Sequence, residues 1–205
     1  MLPAGSYSEM LEELRRRYIK RKVIGVLLSR SSTNFFKKEI RDHIEYYHTR
    51  AGKKMDFYFP GYGAYWPENE YKDKKEVCKI ENTTWLYSNK AFVEFIDNLE
   101  ENSNYNFSGE SELILIDFVE GNIDFNKIMI LKLDKMIKDN VVSSFQIFFE
   151  KLFKSFCEHQ TTYDISNALT VDSLINSGLE TISEKLPIHL GRTFNRAKYF
   201  CLVKK

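Results

Sequence analysis

The continuous apolar run Val23-Ile24-Gly25-Val26-Leu27-Leu28 constrains the fold of this chain more than any other feature. It is too short for a bilayer span, which needs about 18 apolar residues, and it lacks the 3.6-residue spacing of an amphipathic helix. Such a run predicts a strand buried on both faces, and strands of that kind belong to sheets with helices on either side. The chain is therefore expected to be an α/β protein.

Other segments extend that expectation along the chain. Residues 6–18 begin with Ser6 and Glu9 at capping-box spacing and carry Tyr7, Met10, Leu11, Leu14 and Tyr18 on one helical face. After the apolar run, Phe36, Ile40, Ile44 and Tyr47 recur at helical spacing, with Gly52 as the stop. Met55-Asp56-Phe57-Tyr58-Phe59 reads as a second buried strand, ended by Pro60-Gly61-Tyr62-Gly63. Residues 65–82 have no clear period and read as a long loop, and residues 84–87 as a short strand. Asn89 is the expected cap of a helix with Phe92, Phe95, Ile96 and Leu99 on its apolar face, which gives way to a polar loop over 101–109.

Residues 113–119 and 128–133 favour strands and are separated by Glu120-Gly121-Asn122, which predicts a hairpin with a loop longer than two residues. Phe145, Phe148, Phe149, Leu152, Phe153 and Phe156 make a strongly apolar helical face. A terminal helix is expected around Leu174, Ile175, Leu179 and Ile182, stopped by Pro187, and residues 199–203 suit an edge strand.

From residue 23 to about 156 the order is β-α-β-α-β-β-α, which resembles a thioredoxin-like three-layer arrangement; a doubly wound α/β sheet is the alternative. In redox members of that fold the resemblance implies a C-x-x-C between the first strand and first helix. This chain has Ser29-Arg30-Ser31-Ser32 there, so thiol–disulfide chemistry is not implied. The 205 residues suit a single domain: an N-terminal amphipathic helix over 1–21, the α/β core over 22–158 and a C-terminal helical extension over 159–205.

Thirty basic against twenty-nine acidic residues give a net charge of +1, which removes the overall signature of a dedicated nucleic-acid binder. Cys78, Cys157 and Cys201 have neither disulfide-framework nor metal-ligand spacing, so no metal or cofactor is expected and a reducing cytoplasm fits. No leader or membrane span is read, and the abundance of Lys, Asn, Ile and Phe suits an AT-rich bacterial genome.

Two segments are candidate sites. Ser29, Arg30, Ser31, Ser32 and Asn34 lie between a buried strand and a helix start, where free amides favour an anion; the competing reading is a Ser32 or Thr33 cap beside a solvated arginine. Tyr62, Gly63, Tyr65 and Trp66 follow the second strand. If the two strands are parallel, both loops fall at one sheet end and join phosphate donors to aromatic surfaces for a base; the competing reading folds these aromatics back under the loop. His43, His48, His159 and His189 form no recognisable catalytic or metal unit, and the basic run 15–22 reads as a solvated helix end.

These features favour a non-catalytic protein-interaction or assembly module of a cytosolic complex, with self-association or a protein partner suggested by a surplus of apolar helical surface. The alternative is a nucleotide- or phosphate-recognising sensor or enzyme, in a bacterial signalling or defence system.

Overall fold

A computed structural model describes residues 2–17, 20–51, 55–80, 82–140, 142, 144–158, 161–162, 164–165 and 199–204. Strand β1 (Leu2–Ala4) precedes helix α1 (Tyr7–Arg17), strand β2 (Arg21–Leu28), helix α2 (Ile44–Ala51) and strand β3 (Asp56–Pro60). Then follow β4 (Tyr62–Gly63), β5 (Lys75–Ile80), β6 (Thr83–Tyr87), α3 (Asn89–Asn102), β7 (Glu112–Val119), β8 (Asn122–Lys132), α4 (Leu133–Lys138), α5 (Phe145–Glu158) and β9 (Phe200–Lys204).

The protein is a mixed α/β structure. Its main sheet has six strands in the order β1-β3-β2-β7-β8-β9. β1, β3 and β2 are mutually parallel, β7 runs antiparallel to β2, and β8 and β9 continue antiparallel. The run from Val23 to Leu28 is buried throughout, as is all of β3, which agrees with strands covered on both faces. On one face Phe57 meets Phe149 and Phe153 of α5, while Tyr47 of α2 packs on Phe149 with ring centroids 4.9 Å apart. The opposite face is left to α1 and α3, which meet through Tyr7 and Phe95.

Local chemistry explains the element boundaries. Ser6 and Glu9 form a full capping box: Ser6 Oγ accepts from the Glu9 amide at 3.1 Å and Glu9 Oε2 accepts from the Ser6 amide at 3.2 Å. The helix expected from Phe36 onward is interrupted: a π-helical turn over Phe36–Ile40 and a 3-10 turn over Arg41–His43 precede the α-helix Ile44–Ala51. Ser88, not Asn89, caps α3, accepting from the Ala91 amide at 3.1 Å. The β7–β8 connection is the minimal two-residue turn, because Glu120 and Gly121 both take positive φ and Asn122 already pairs with Val119.

The long loop expected over 65–82 is corrected: it holds β5, which with β4 and β6 forms a second, three-stranded antiparallel sheet in the order β4-β6-β5. Its short strands and charged positions hid it from period-based reading. The N-terminal segment is also more than a helix, since β1 forms one edge of the main sheet, and β9 at the other edge agrees with the edge strand expected over 199–203. The Phe-rich helix is not surplus surface either: its six apolar positions are all buried in this chain. Gly52 and the helix expected around residues 174–187 lie outside the described residues.

Candidate functional site

Parallel β2 and β3 bring the two candidate loops to the same sheet end. The link is direct: Tyr62 Oη donates to the Ser29 carbonyl at 2.9 Å, and both residues are buried. Tyr62 stacks on Phe36 at 5.3 Å and meets Phe59 and Tyr87 at 5.5 and 4.9 Å. Burial, reinforced by the neighbouring Tyr87 and Cys78, raises its phenol well above the usual tyrosine value.

The hydroxyls around Ser29 satisfy one another. Thr33 Oγ1 donates to the Arg30 carbonyl at 2.9 Å and accepts from the Phe36 amide at 3.1 Å, so Thr33 caps this turn. With the Thr33 proton thus engaged, Ser29 Oγ donates to Thr33 at 3.1 Å and accepts from Ser111 Oγ at 2.9 Å. The Ser111 amide in turn donates to Asp134 Oδ2 at 2.6 Å. The result is a chain of donors and acceptors that links Asp134 of α4, the residue before β7, the residue after β2 and the following turn.

Arg30 packs on aromatic rings. Its guanidinium lies over the Phe92 ring at 5.0 Å and the Phe107 ring at 5.3 Å, with a long hydrogen bond of 3.4 Å to the Gly109 carbonyl. Ser31 is half-buried, and Ser32 and Asn34 are exposed. Ser111, Asp134 and Phe107 escaped sequence reading, and Phe92 was legible only as part of a helix face, because they reach this loop from far along the chain and share no spacing pattern with it.

The aromatic residues separate into three environments. Tyr62 belongs to the core. Trp66 is half-buried and lies over Gly63 and Gly5: a Cβ on Gly63 would stand 2.3 Å from the indole, and one on Gly5 2.6 Å. Its ring also meets Tyr71 at 4.9 Å. Tyr65 alone of the three points outward, 84% exposed, with its hydroxyl 3.5 Å from Thr83 on the small sheet.

Beyond these loops, an open pocket of about 550 Å³ is lined by Asn69, Tyr71, Lys72, Asp73, Asn89 and Lys90. Asp73 occupies the start of α3, accepting from Ser88 Oγ at 2.6 Å and the Lys90 amide at 3.0 Å. Desolvation opposes its charge, but the hydrogen bonds from Ser88 and the amides of Lys90 and Asn89 outweigh it and hold the carboxyl below the usual aspartate value.

Several other polar candidates are tied into structure, while His159 and His189 lie outside the described residues. His43 faces Gln146, and His48 lies edge-on to Trp85. Arg50 makes a two-pronged contact with Glu150 at 2.7 and 2.5 Å, joining α2 to α5. In the basic run, Arg15 donates to the Gly121 carbonyl and Asn122, and Arg17 bridges Glu13 and buried Asp56. Among the described residues no three His, Cys, Asp or Glu side chains group to hold a metal, and no helix is long and apolar enough to cross a membrane.

Compared with known proteins, the chain matches no family model, no curated protein and no solved structure at a significant level.

Proposed function

We propose that the chain is a non-catalytic protein-interaction or assembly module of a cytosolic complex, built on a thioredoxin-like arrangement. The fold part of this reading draws support from the order β2-α2-β3-α3-β7-β8-α5, in which a parallel pair joins an antiparallel hairpin in one sheet. A reducing cytoplasm suits the free thiols of Cys78 and Cys157.

The observation that carries the functional part is Tyr65. A large aromatic side chain 84% exposed on a braced base is the kind of anchor that dominates protein interfaces. The brace is Trp66, fitted over Gly63 and Gly5. The test replaces Tyr65 with photoreactive p-benzoylphenylalanine in the cells that make the protein, with exposed Asn104 as the control site. A discrete adduct from position 65 alone, competed by purified wild-type chain and not by Tyr65→Ala, supports the module. Its mass tells a second copy from another protein. Irradiation that yields no adduct specific to position 65 sinks the reading.

The alternative, a nucleotide- or phosphate-recognising sensor or enzyme in bacterial signalling or defence, draws on one observation: Ser32 and Asn34 stay exposed at the sheet end where the two loops meet. It is weaker because Arg30, its central cation, lies over Phe92 and Phe107. A nucleotide present at 100 times its Kd would add about 2.7 kcal/mol to stability, and Arg30→Ala would remove that gain. An unchanged Tm across nucleotides, cyclic nucleotides and inorganic phosphate rejects the alternative.

A further inference from the structure

β5 is the outer strand of the small sheet, with α2 packed close to it. β5 pairs with β6 on one side, and among the described residues no strand pairs with its other side. Such an edge carries backbone N–H and C=O groups ready for another strand. Lys75, Glu76 and Lys79 are exposed along it, and Val77 and Cys78 are half-buried.

A bulge decides what this edge can meet. In a regular strand, residues three apart such as Glu76 and Lys79 point to opposite faces. Here Glu76 lies opposite Leu86 and Cys78 opposite Trp85, so Val77 is one extra residue and the alternation resumes at Cys78. Cys78 therefore shares the face of buried Trp85, and Lys79, opposite Thr84, returns to the face of Glu76. The bulge thus sets an acid and a base on one face, with Cys78 between them in the ladder.

That arrangement is complementary to itself. Two antiparallel copies of one strand, related by a two-fold axis perpendicular to the sheet, bring residues of the same face opposite each other. With the axis at Cys78, each Glu76 lies opposite Lys79 of the second copy, both pairs are attractive, and Val77 stays outside the ladder in both strands. Charges and bulges commonly protect an edge from pairing, and an edge of one charge sign repels its own copy. This edge carries both signs in mirror positions.

We propose that β5 pairs antiparallel with β5 of a second copy, Glu76 opposite Lys79 twice over and Cys78 opposite Cys78 at the axis, so that the two small sheets join into one. This rests on the assembly reading above and names its partner as a second copy of this chain.

Sedimentation velocity over the widest accessible concentration range tests it. Wild type is expected to dimerise. Glu76→Lys and Lys79→Glu, each placing like charges opposite one another, should each weaken the dimer about tenfold or more. The double variant, which restores both attractive pairs, should return to within a few-fold of wild type. Mild oxidation of the dimer should link Cys78 to Cys78, and Cys78→Ser should abolish that link. A strict monomer overturns the proposal, as does a dimer indifferent to the single reversals, or a double variant as weak as either single one. Circular dichroism checks that the charge variants, altered at exposed side chains, and Cys78→Ser, altered at a half-buried one, stay folded. The outcome is separable from the module reading: a Tyr65 adduct with a different protein survives the loss of β5 pairing, whereas the absence of that adduct removes the reading itself.

Discussion

Tyr62 and Ser29, thirty-three positions apart, are joined by a buried 2.9 Å hydrogen bond from phenol to backbone carbonyl. Tyr47, equally buried, has a hydroxyl with no hydrogen-bond partner among the described residues. The two tyrosines should therefore respond oppositely to removal of one oxygen. Tyr62→Phe leaves the Ser29 carbonyl without its donor and should cost about 1–3 kcal/mol in urea unfolding. Tyr47→Phe removes a buried polar atom that gains nothing in return, so stability should hold or rise by about 1 kcal/mol. Equal losses in both variants would contradict the assignment of their surroundings.

A second contrast concerns two glycines with similar backbone angles. Gly61 has φ +79° and Gly121 φ +86°, both in the region that L side chains seldom adopt. Around Gly121 nothing stands within 4 Å of an added Cβ, whereas at Gly61 it would lie 2.6 Å from Phe92 Cβ and 3.0 Å from the Ser88 carbonyl oxygen. Gly121→Ala should therefore cost only the local strain, about 1 kcal/mol. Gly61→Ala must also push β3 away from α3 and should cost at least about 3 kcal/mol. Thermal unfolding of the two variants gives the comparison.

The acid limb of the stability curve should report Asp73. Its pKa lies below the unfolded aspartate value of 3.8, so the unfolded state takes up the proton first. The stabilisation is complete above the unfolded value and is lost as pH falls through the lower folded one. Asp73→Asn should flatten this part of the pH dependence while leaving neutral-pH unfolding two-state. Ser88→Ala, which removes both the α3 cap and a donor to Asp73, should cost about 1 kcal/mol at neutral pH and shrink the acid-linked loss as well.

Much of the α/β core was legible because its signals are local. The run at Val23–Leu28, the capping box of Ser6 and Glu9 and the Phe-rich face of α5 each lie within a few residues, where period and turn chemistry decide the structure. The small sheet was not, because β4 has only two residues and β5 is charged, half-exposed and bulged, so no alternation survives in its sequence. The same limit applies to the loop after β2. Its small polar residues were visible, but what they bond to was not: Ser111 and Asp134 share no sequence spacing with Ser29, and only the register of β2 on β7, with Leu28 opposite Glu112, brings Ser111 beside it. Polar loop composition therefore marked the place and left the use of its donors open.

The cysteines allow a prediction about reactivity. Cys78 is half-buried on β5, and burial, with a smaller effect of Glu76, pushes its thiol up to about 11. Cys157 is exposed on α5. The thiolate is the form that reacts with iodoacetamide, so at mildly alkaline pH Cys157 should be alkylated well before Cys78, and the Cys78 rate should keep climbing toward pH 11. Peptide mass spectrometry resolves the two sites. Denaturation should erase the difference, because the delay at Cys78 comes from its place on the small sheet rather than from its local sequence. A native-state rate at Cys78 equal to that at Cys157 would mean that β5 opens readily, and with it the bulge that sets Glu76 and Lys79 on one face.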